Sequence, residues 1–218
     1  MAADSPAAAP AAPKRRGRPP DPERLSRIVE AARNHFYTHG FERASVDAIA
    51  QEAGVSKMTV YSHFTSKELL FEAVIRDRTS RVVATLPKSA ALDPLRPEQA
   101  LMLIGRQFME LTREEKALGQ FRALYAAAGA QPEACAAFYR QGADRLIGEL
   151  ATYLAQAQAA GSLHVRDPRL SADLFLGMFL GDGHIRGLLK LPPPSPSQDK
   201  AQLREAVRVF LAAYRAME

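Results

Sequence analysis

The side chains best equipped for chemistry in this chain form a short polar run, Ser56-Lys57-Met58-Thr59-Val60-Tyr61-Ser62-His63, followed by Lys67. Between Gly54 and Lys67 there is no Asp or Glu, although Glu52 and Glu68 stand on either side. A face selected only for solubility mixes charges of both signs. Hydroxyl, imidazole and ammonium groups without a carboxylate instead suit a partner built of hydrogen-bond acceptors, such as phosphate oxygens and base edges. Elsewhere the reactive residues are scattered. His164, His184 and Cys135 are not at metal-ligand spacings, and Asp182 and His184, two residues apart, fall on different faces of a helix. With no phosphate-cradling Gly-rich loop and no nucleophile motif in the sequence, neither an enzyme nor a bound cofactor or metal is expected.

The elements that must hold this run can be read on either side of it. Val46, Ile49, Ala50 and Ala53 repeat at helical spacing after Ser45, whose hydroxyl can cap. Gly54 permits a turn that a Cβ would resist, and Ser56 can cap a second short helix in which Val60 and Phe64 point the same way. Two short helices joined by a glycine turn make a helix-turn-helix, whose second helix can lie in the DNA major groove. Ala50 is small enough for the two helices to approach closely. Val55, Val60 and Phe64 are expected to face the first helix at Leu25 and Ile28, leaving Lys57, Met58, Thr59, Tyr61, Ser62 and His63 outward. A helical hairpin inside a bundle, with a chance gap in acids, is the alternative reading.

Around this unit the period is helical throughout. Asp21 can cap a first helix with Pro22 at its first position and Leu25, Ile28, Val29, Ala32 and Phe36 on one face, ending at Gly40. Ser66 caps a fourth helix to about residue 86. Further patterns run through Leu101–Leu111, residues 117–128, Pro132 to near Ala160, Pro168 to about Leu189, and a last helix with Leu203, Val207, Phe210 and Tyr214 on one stripe. No segment alternates at period two, so the fold is expected to be all-α with about nine helices. The division predicted is an Ala/Pro-rich arm (1–20), a DNA-binding head (21–68) and a larger helical domain (69–218).

The net charge of +5 sits mainly in the arm, where Lys14, Arg15, Arg16 and Arg18 face only Asp4. Arginines on an extended arm can enter the narrow minor groove of A·T-rich DNA, and Arg16-Gly17-Arg18-Pro19 looks like an AT-hook. A solubilising tail that raises only non-specific affinity is the alternative. The longest apolar stretches, such as Ala123–Ala130 and Leu174–Gly181, fall far short of the ~20 residues that cross a bilayer. The Ala/Pro run precedes the basic cluster, the reverse of a secretory signal. A single cysteine excludes an internal disulfide and a cysteine-based zinc site. A cytoplasmic protein is the expectation.

Gly54-Val55-Ser56-Lys57-Met58-Thr59-Val60-Tyr61-Ser62-His63-Phe64-Thr65-Ser66-Lys67-Glu68-Leu69 closely resembles the DNA-binding signature of TetR-family transcriptional regulators, and the similarity extends over roughly residues 21–75. The resemblance implies that Thr59, Tyr61, His63 and Lys67 bind operator phosphates, that Ser45 caps on another, and that Lys57, Met58 and Ser62 approach base edges. Ser56 would contribute a capped helix N-terminus there. Met58 departs from the pattern, since small residues are common at that position in the family. A thioether favours apolar contact, for instance with a thymine methyl. Gln131-Pro132-Glu133, Ala160-Gly161-Ser162-Leu163 and Asp167-Pro168 more loosely resemble the AefR-like branch of the family's C-terminal domains. That implies a repressor released by a small effector.

Adaptable apolar bulk marks the C-terminal part: Met102, Phe108, Met109, Phe121, Leu124, Tyr125, Phe138, Tyr139 and Met178 could line a tolerant pocket for a small apolar or amphipathic effector. The same list describes an ordinary helical core. Gly177, Gly181, Gly183 and Gly187 recur through the predicted 168–189 helix. With the stripe of the last helix they predict a homodimer through the last two helices; the alternative is that both stripes bury inside one subunit. The partners expected are thus an operator duplex, a small effector and a second copy, with no membrane. The rival is a helical ligand-binding or scaffold protein without DNA recognition.

Overall fold

The computed structural model describes residues 22–215. Arg16 and Arg18 of the predicted arm, and the capping role of Asp21, lie outside the described residues. Within them the secondary structure is helical, and the one extended pairing is an isolated antiparallel bridge between Leu163 and Arg215.

The first four helices contain the helix-turn-helix. The first, α1 (Pro22–Arg43), buries Ile28, Ala31, Ala32 and Phe36. It breaks at Gly40, whose φ of 78° is a conformation that side chains resist. The break turns Phe41 inward against Phe36 and Phe71, with ring centroids 5.9 and 5.2 Å away. Leu25, expected on the buried stripe, is 39% exposed and lies outside the first core, which begins at Ile28. The short α2 (Val46–Glu52) buries Val46, Ile49 and Ala50. Ser45 occupies its N-cap position through backbone conformation alone; the expected hydroxyl cap is not formed. Ser56 does cap α3 (Lys57–His63), accepting from the Thr59 amide, and Ser66 caps α4 (Lys67–Ala84), accepting from the Leu69 amide.

The first core gathers α1, α2, Val60 of α3 and Leu70, Phe71, Val74 and Ile75 of α4. It also includes Ala123, Leu124 and Ala127 of α6 (Glu115–Ala127) and Ala134 of α7 (Pro132–Phe138). The second joins α5 (Pro97–Arg113), α8 (Asp144–Ala159), α9 (Pro168–Gly177) and α11 (Pro196–Tyr214) around Leu101, Phe108, Tyr153, Phe175, Phe179 and Phe210. Tyr153 donates its hydroxyl hydrogen to the Asp93 carbonyl, and burial pushes its pKa up to about 12.

Two predicted helices are divided. The 132–160 helix contains a π turn at Tyr139–Ala143, where Gly142 lies so close to α4 that a Cβ would meet the Thr79 methyl at 2.9 Å. The 168–189 helix breaks over residues 178–181, and α10 (Asp182–Leu188) leaves in a new direction to pack on α5 and α6. The glycine stripe predicted for dimer contact therefore does not exist as one face. Gly183 and Gly187 are spent inside the chain, against the Arg113 guanidinium and Leu118. The α11 stripe is likewise internal: Leu203, Val207 and Phe210 are buried in the second core. What remains outward on the C-terminal helices is a different set, with Leu174, Ile185 and Leu189 exposed by 52%, 51% and 65%.

Candidate functional site

The outward face of α3 is made by Lys57, Met58, Tyr61 and Ser62, one helical turn apart in pairs. Met58 is 76% exposed and Tyr61 36%, so an apolar thioether stands at the front of the helix with no packing reason to be there. Thr59 and His63 flank this face and are half-buried, whereas Val60 points directly inward. Gly54, at φ 66°, sets the angle between α2 and α3, and the Val55 amide closes the turn on the Ala50 carbonyl at 3.0 Å.

Several of the polar groups are already engaged. The Ser56 hydroxyl lies 2.9 Å from that of Thr59, and Ser62 donates its own to the Thr59 carbonyl at 2.7 Å. Lys57 forms an ion pair with Asp47 of α2 at 2.9 Å. That hydrogen bond and the charge behind it hold the ammonium above the usual lysine range. Asp47 is thus an acid beside the reading face that the acid-free stretch in the sequence did not disclose, because it arrives from the neighbouring helix. Lys67 donates to the Glu42 carbonyl at 2.9 Å and lies 4.6 Å over the Phe41 ring. It ties the start of α4 to the end of α1. Beside it the Glu68 carboxyl is held below the usual carboxylate range by its own backbone amide and then by the Ser66 hydroxyl. Glu52, the other flanking acid, accepts from Asn34 at 2.8 Å and has its second oxygen 2.9 Å from the His35 Nε2, locking α2 onto α1.

The second site lies where α4 ends. A largely apolar cavity of about 170 Å³ is bounded by Thr79, Val82 and Val83 of α4, by Phe108 and Thr112 of α5, and by Gln120 and Phe121 of α6. Phe138, the π turn, Leu146 and Ile147 form the far wall, and Asp173, Gly177 and Leu180 lie at the side toward solvent. Of the residues predicted to line a pocket, Phe108, Phe121 and Phe138 do so. The other predicted residues lie elsewhere. Met109 and Leu124 are core residues, and Met102 and Met178 pack against the second core. Tyr125 and Tyr139 point outward, 62% and 54% exposed. Residue type alone could not separate these, because each helix has only one side facing the cavity.

Gln120 and Thr79 were missed. Both are buried, at 5% and 3% exposure, and the Gln120 amide donates to the Thr79 hydroxyl oxygen at 3.0 Å. The signal was present: Gln120 interrupts the stripe Ala117, Ala123, Leu124 and Ala127, and Thr79 interrupts Ile75 and Val83. A polar group buried on an apolar stripe requires a partner. Close by, His184 is buried with its Nδ1 3.0 Å from the Thr112 carbonyl and its ring 5.0 Å from that of Phe121. This makes it a packing residue between α10 and α5. No helix among the described residues is long and apolar enough to cross a membrane.

Comparison with known proteins bears on both sites. Residues 28–74 match the model of bacterial regulatory proteins of the tetR family, and residues 99–216 match that of the AefR-like transcriptional repressor C-terminal domain. The HTH-type transcriptional repressor AcnR of Corynebacterium efficiens is 31% identical over 44% of this chain and 53% of its own. The HTH-type transcriptional activator FasR of Mycolicibacterium smegmatis is 41% identical over 34% and 35%. The chain thus spans about half or less of the length of these relatives. Among solved structures, the flavonoid-responsive regulator FrrA superposes with a TM-score of 0.76 at 29% identity, covering 91% of this chain and all of that one.

Proposed function

The chain belongs to the TetR family of bacterial regulatory proteins, and from that membership we propose that it is a ligand-responsive repressor. A homodimer binds a roughly palindromic operator and releases it when a small apolar or amphipathic molecule enters the cavity. One observation carries the reading: α4 begins at the Ser66 cap immediately after α3 and ends as a wall of the cavity, through Thr79, Val82 and Val83. A helix is stiff over this length, so displacement at the cavity end must move the head end.

In the dimer two α3 helices enter successive major grooves about 34–36 Å apart. Lys57, Met58 and Ser62 read base edges, while Thr59, Tyr61, His63 and Lys67 hold phosphates. Lys57 exchanges Asp47 for DNA, a small loss, since exposed ion pairs contribute about 0–1 kcal/mol. A few ångströms of change in head spacing unseats one half-site; a coupling of about 1–3 kcal/mol weakens binding some 5- to 150-fold. The repressor direction is supported by the description of the C-terminal model and by AcnR. An aromatic effector is supported by the flavonoid response in FrrA's name.

The experiment is fluorescence anisotropy with duplexes selected from a random pool by the full chain. Tyr61→Phe is expected to weaken binding to all sequences about equally, and Lys57→Ala to change which sequences are preferred. Absence of salt-dependent binding to any duplex supports the helical scaffold reading instead.

A further inference from the structure

We propose that the cavity is built for a small neutral molecule carrying a hydroxyl on an apolar ring, of the single-ring phenol class, and that Gln120 and Thr79 read that hydroxyl. This rests on the reading of the cavity as an effector site and specifies what it takes.

Size comes first. At about 170 Å³ the cavity is close to the apolar void of ~150 Å³ known to hold benzene, so one substituted ring fills it. Charge comes next. No Lys, Arg or His lines it, and the one ionisable residue that does, Asp173, is an exposed acid at the solvent side. An anion would enter past a like charge and find no counter-ion inside, at a heavy desolvation cost.

The polar groups then select within neutral molecules. The Gln120 Nε2 donates to Thr79 Oγ1 at 3.0 Å and to the Ile75 carbonyl at 3.4 Å. Among the described residues nothing donates to its Oε1. Thr112 and Thr152 each give their hydroxyl hydrogen to the carbonyl four residues back, at 2.9 Å in both cases. For Thr79 that carbonyl is Ile75, toward which the Gln120 amide is turned instead, and among the described residues the Thr79 hydroxyl gives its hydrogen to no acceptor. An open acceptor and an open donor therefore stand side by side in an apolar wall. A hydroxyl both donates and accepts, and satisfies the two together; a hydrocarbon of the same shape leaves both unmet. Thr79 also has its methyl against Gly142 of the π turn, so it is held from two sides. A ligand that bonds to it acts on α4 itself.

The test uses calorimetry on the full chain with 4-ethylphenol, ethylbenzene and 4-ethylbenzoate, against wild type, Gln120→Leu and Thr79→Val. Wild type is expected to bind 4-ethylphenol at least ~10-fold more tightly than ethylbenzene and to give no heat with 4-ethylbenzoate. In both variants the phenol preference should shrink toward one while ethylbenzene binding holds or tightens, which also reports that the variant is folded. Equal affinity for phenol and hydrocarbon in wild type overturns the proposal. So does tighter binding of the benzoate, an unchanged preference in both variants, or no binding of any of the three. Operator anisotropy separates this from the effector reading: 4-ethylphenol that binds with the expected preference but leaves operator affinity unchanged sustains the ligand class and sinks its role as effector.

Discussion

The pair formed by Lys57 and Asp47 shows how a single residue sets the character of the reading face. Lys57 presents its ammonium beside Met58 and Tyr61, yet part of its charge is cancelled by a carboxylate 2.9 Å away. On DNA that carboxylate also faces the phosphate backbone. The repulsion opposes binding without regard to sequence, because it involves no base edge, whereas the pairing holds back a side chain proposed to read one. Asp47→Asn is therefore expected to tighten binding to every duplex and to steepen the dependence of log K on log salt by about one unit. Asp47 is exposed, so the fold should be indifferent to the change. Anisotropy titrations at several salt concentrations make the measurement; an unaltered salt slope would mean that the Asp47 carboxylate lies too far from the phosphates to oppose binding.

At the scale of elements, the π turn and the glycine inside it decide how α4 meets the second domain. Gly142 permits an approach that a Cβ would block at 2.9 Å from Thr79, whereas Gly148, a turn or two later in α8, has open space around it. The same substitution should have opposite consequences at the two positions. Gly148→Ala is expected to stabilise the chain by roughly 0.5–1 kcal/mol through helix propensity. Gly142→Ala is expected to destabilise it by about 1–3 kcal/mol as Thr79 is displaced. Urea denaturation midpoints of the two variants provide the comparison, and a matching gain in both would show that α4 and the π turn are not tightly fitted. Beside this contact, the one-residue corner between α5 and α6 is tied to α4 by the Arg78–Glu114 pair and to α11 by Arg113, which bonds Asp199 and Gln202. The corner links α4 to α11 with charge-assisted bonds.

For the molecule as a whole, the assembly surface is the decisive question. Gly183, Gly187 and the α11 stripe are consumed inside the subunit while Gly177 and Gly181 stay exposed, and the large apolar side chains exposed on or beside the C-terminal helices include Leu170, Leu174, Leu180, Ile185, Leu189 and Val209. Exposed apolar side chains on these helices fit the two-fold interface proposed for the chain. Leu189→Glu, with Ile185→Glu as a second variant, is expected to give a monomer of unchanged helicity. Its operator affinity should fall steeply, since one head binds one half-site. Sedimentation velocity with anisotropy on the same samples checks it; a dimer that survives both substitutions puts the interface elsewhere.

Much of the head was legible because its chemistry is local. Gly54 needs left-handed φ whatever surrounds it, Ser56 and Ser66 cap the helices they precede, and Val60 must point away from Met58 by helical period alone. The all-α class followed from the same periodicity. What the chain order could not convey is which residues meet across helices. Asp47 reaching Lys57, Lys67 bent onto Glu42, Gln120 joined to Thr79 and Gly187 closing on Leu118 all arise between segments far apart or differently oriented. An aromatic or methionine reads the same on a cavity wall, in a core or on the surface, and only packing separates Phe121 from Tyr125. Local rules act within about one helical turn, so they determined the reading helix; the cavity, its polar pair and the free face of α10 depend on how helices cross, and the tertiary structure alone decided them.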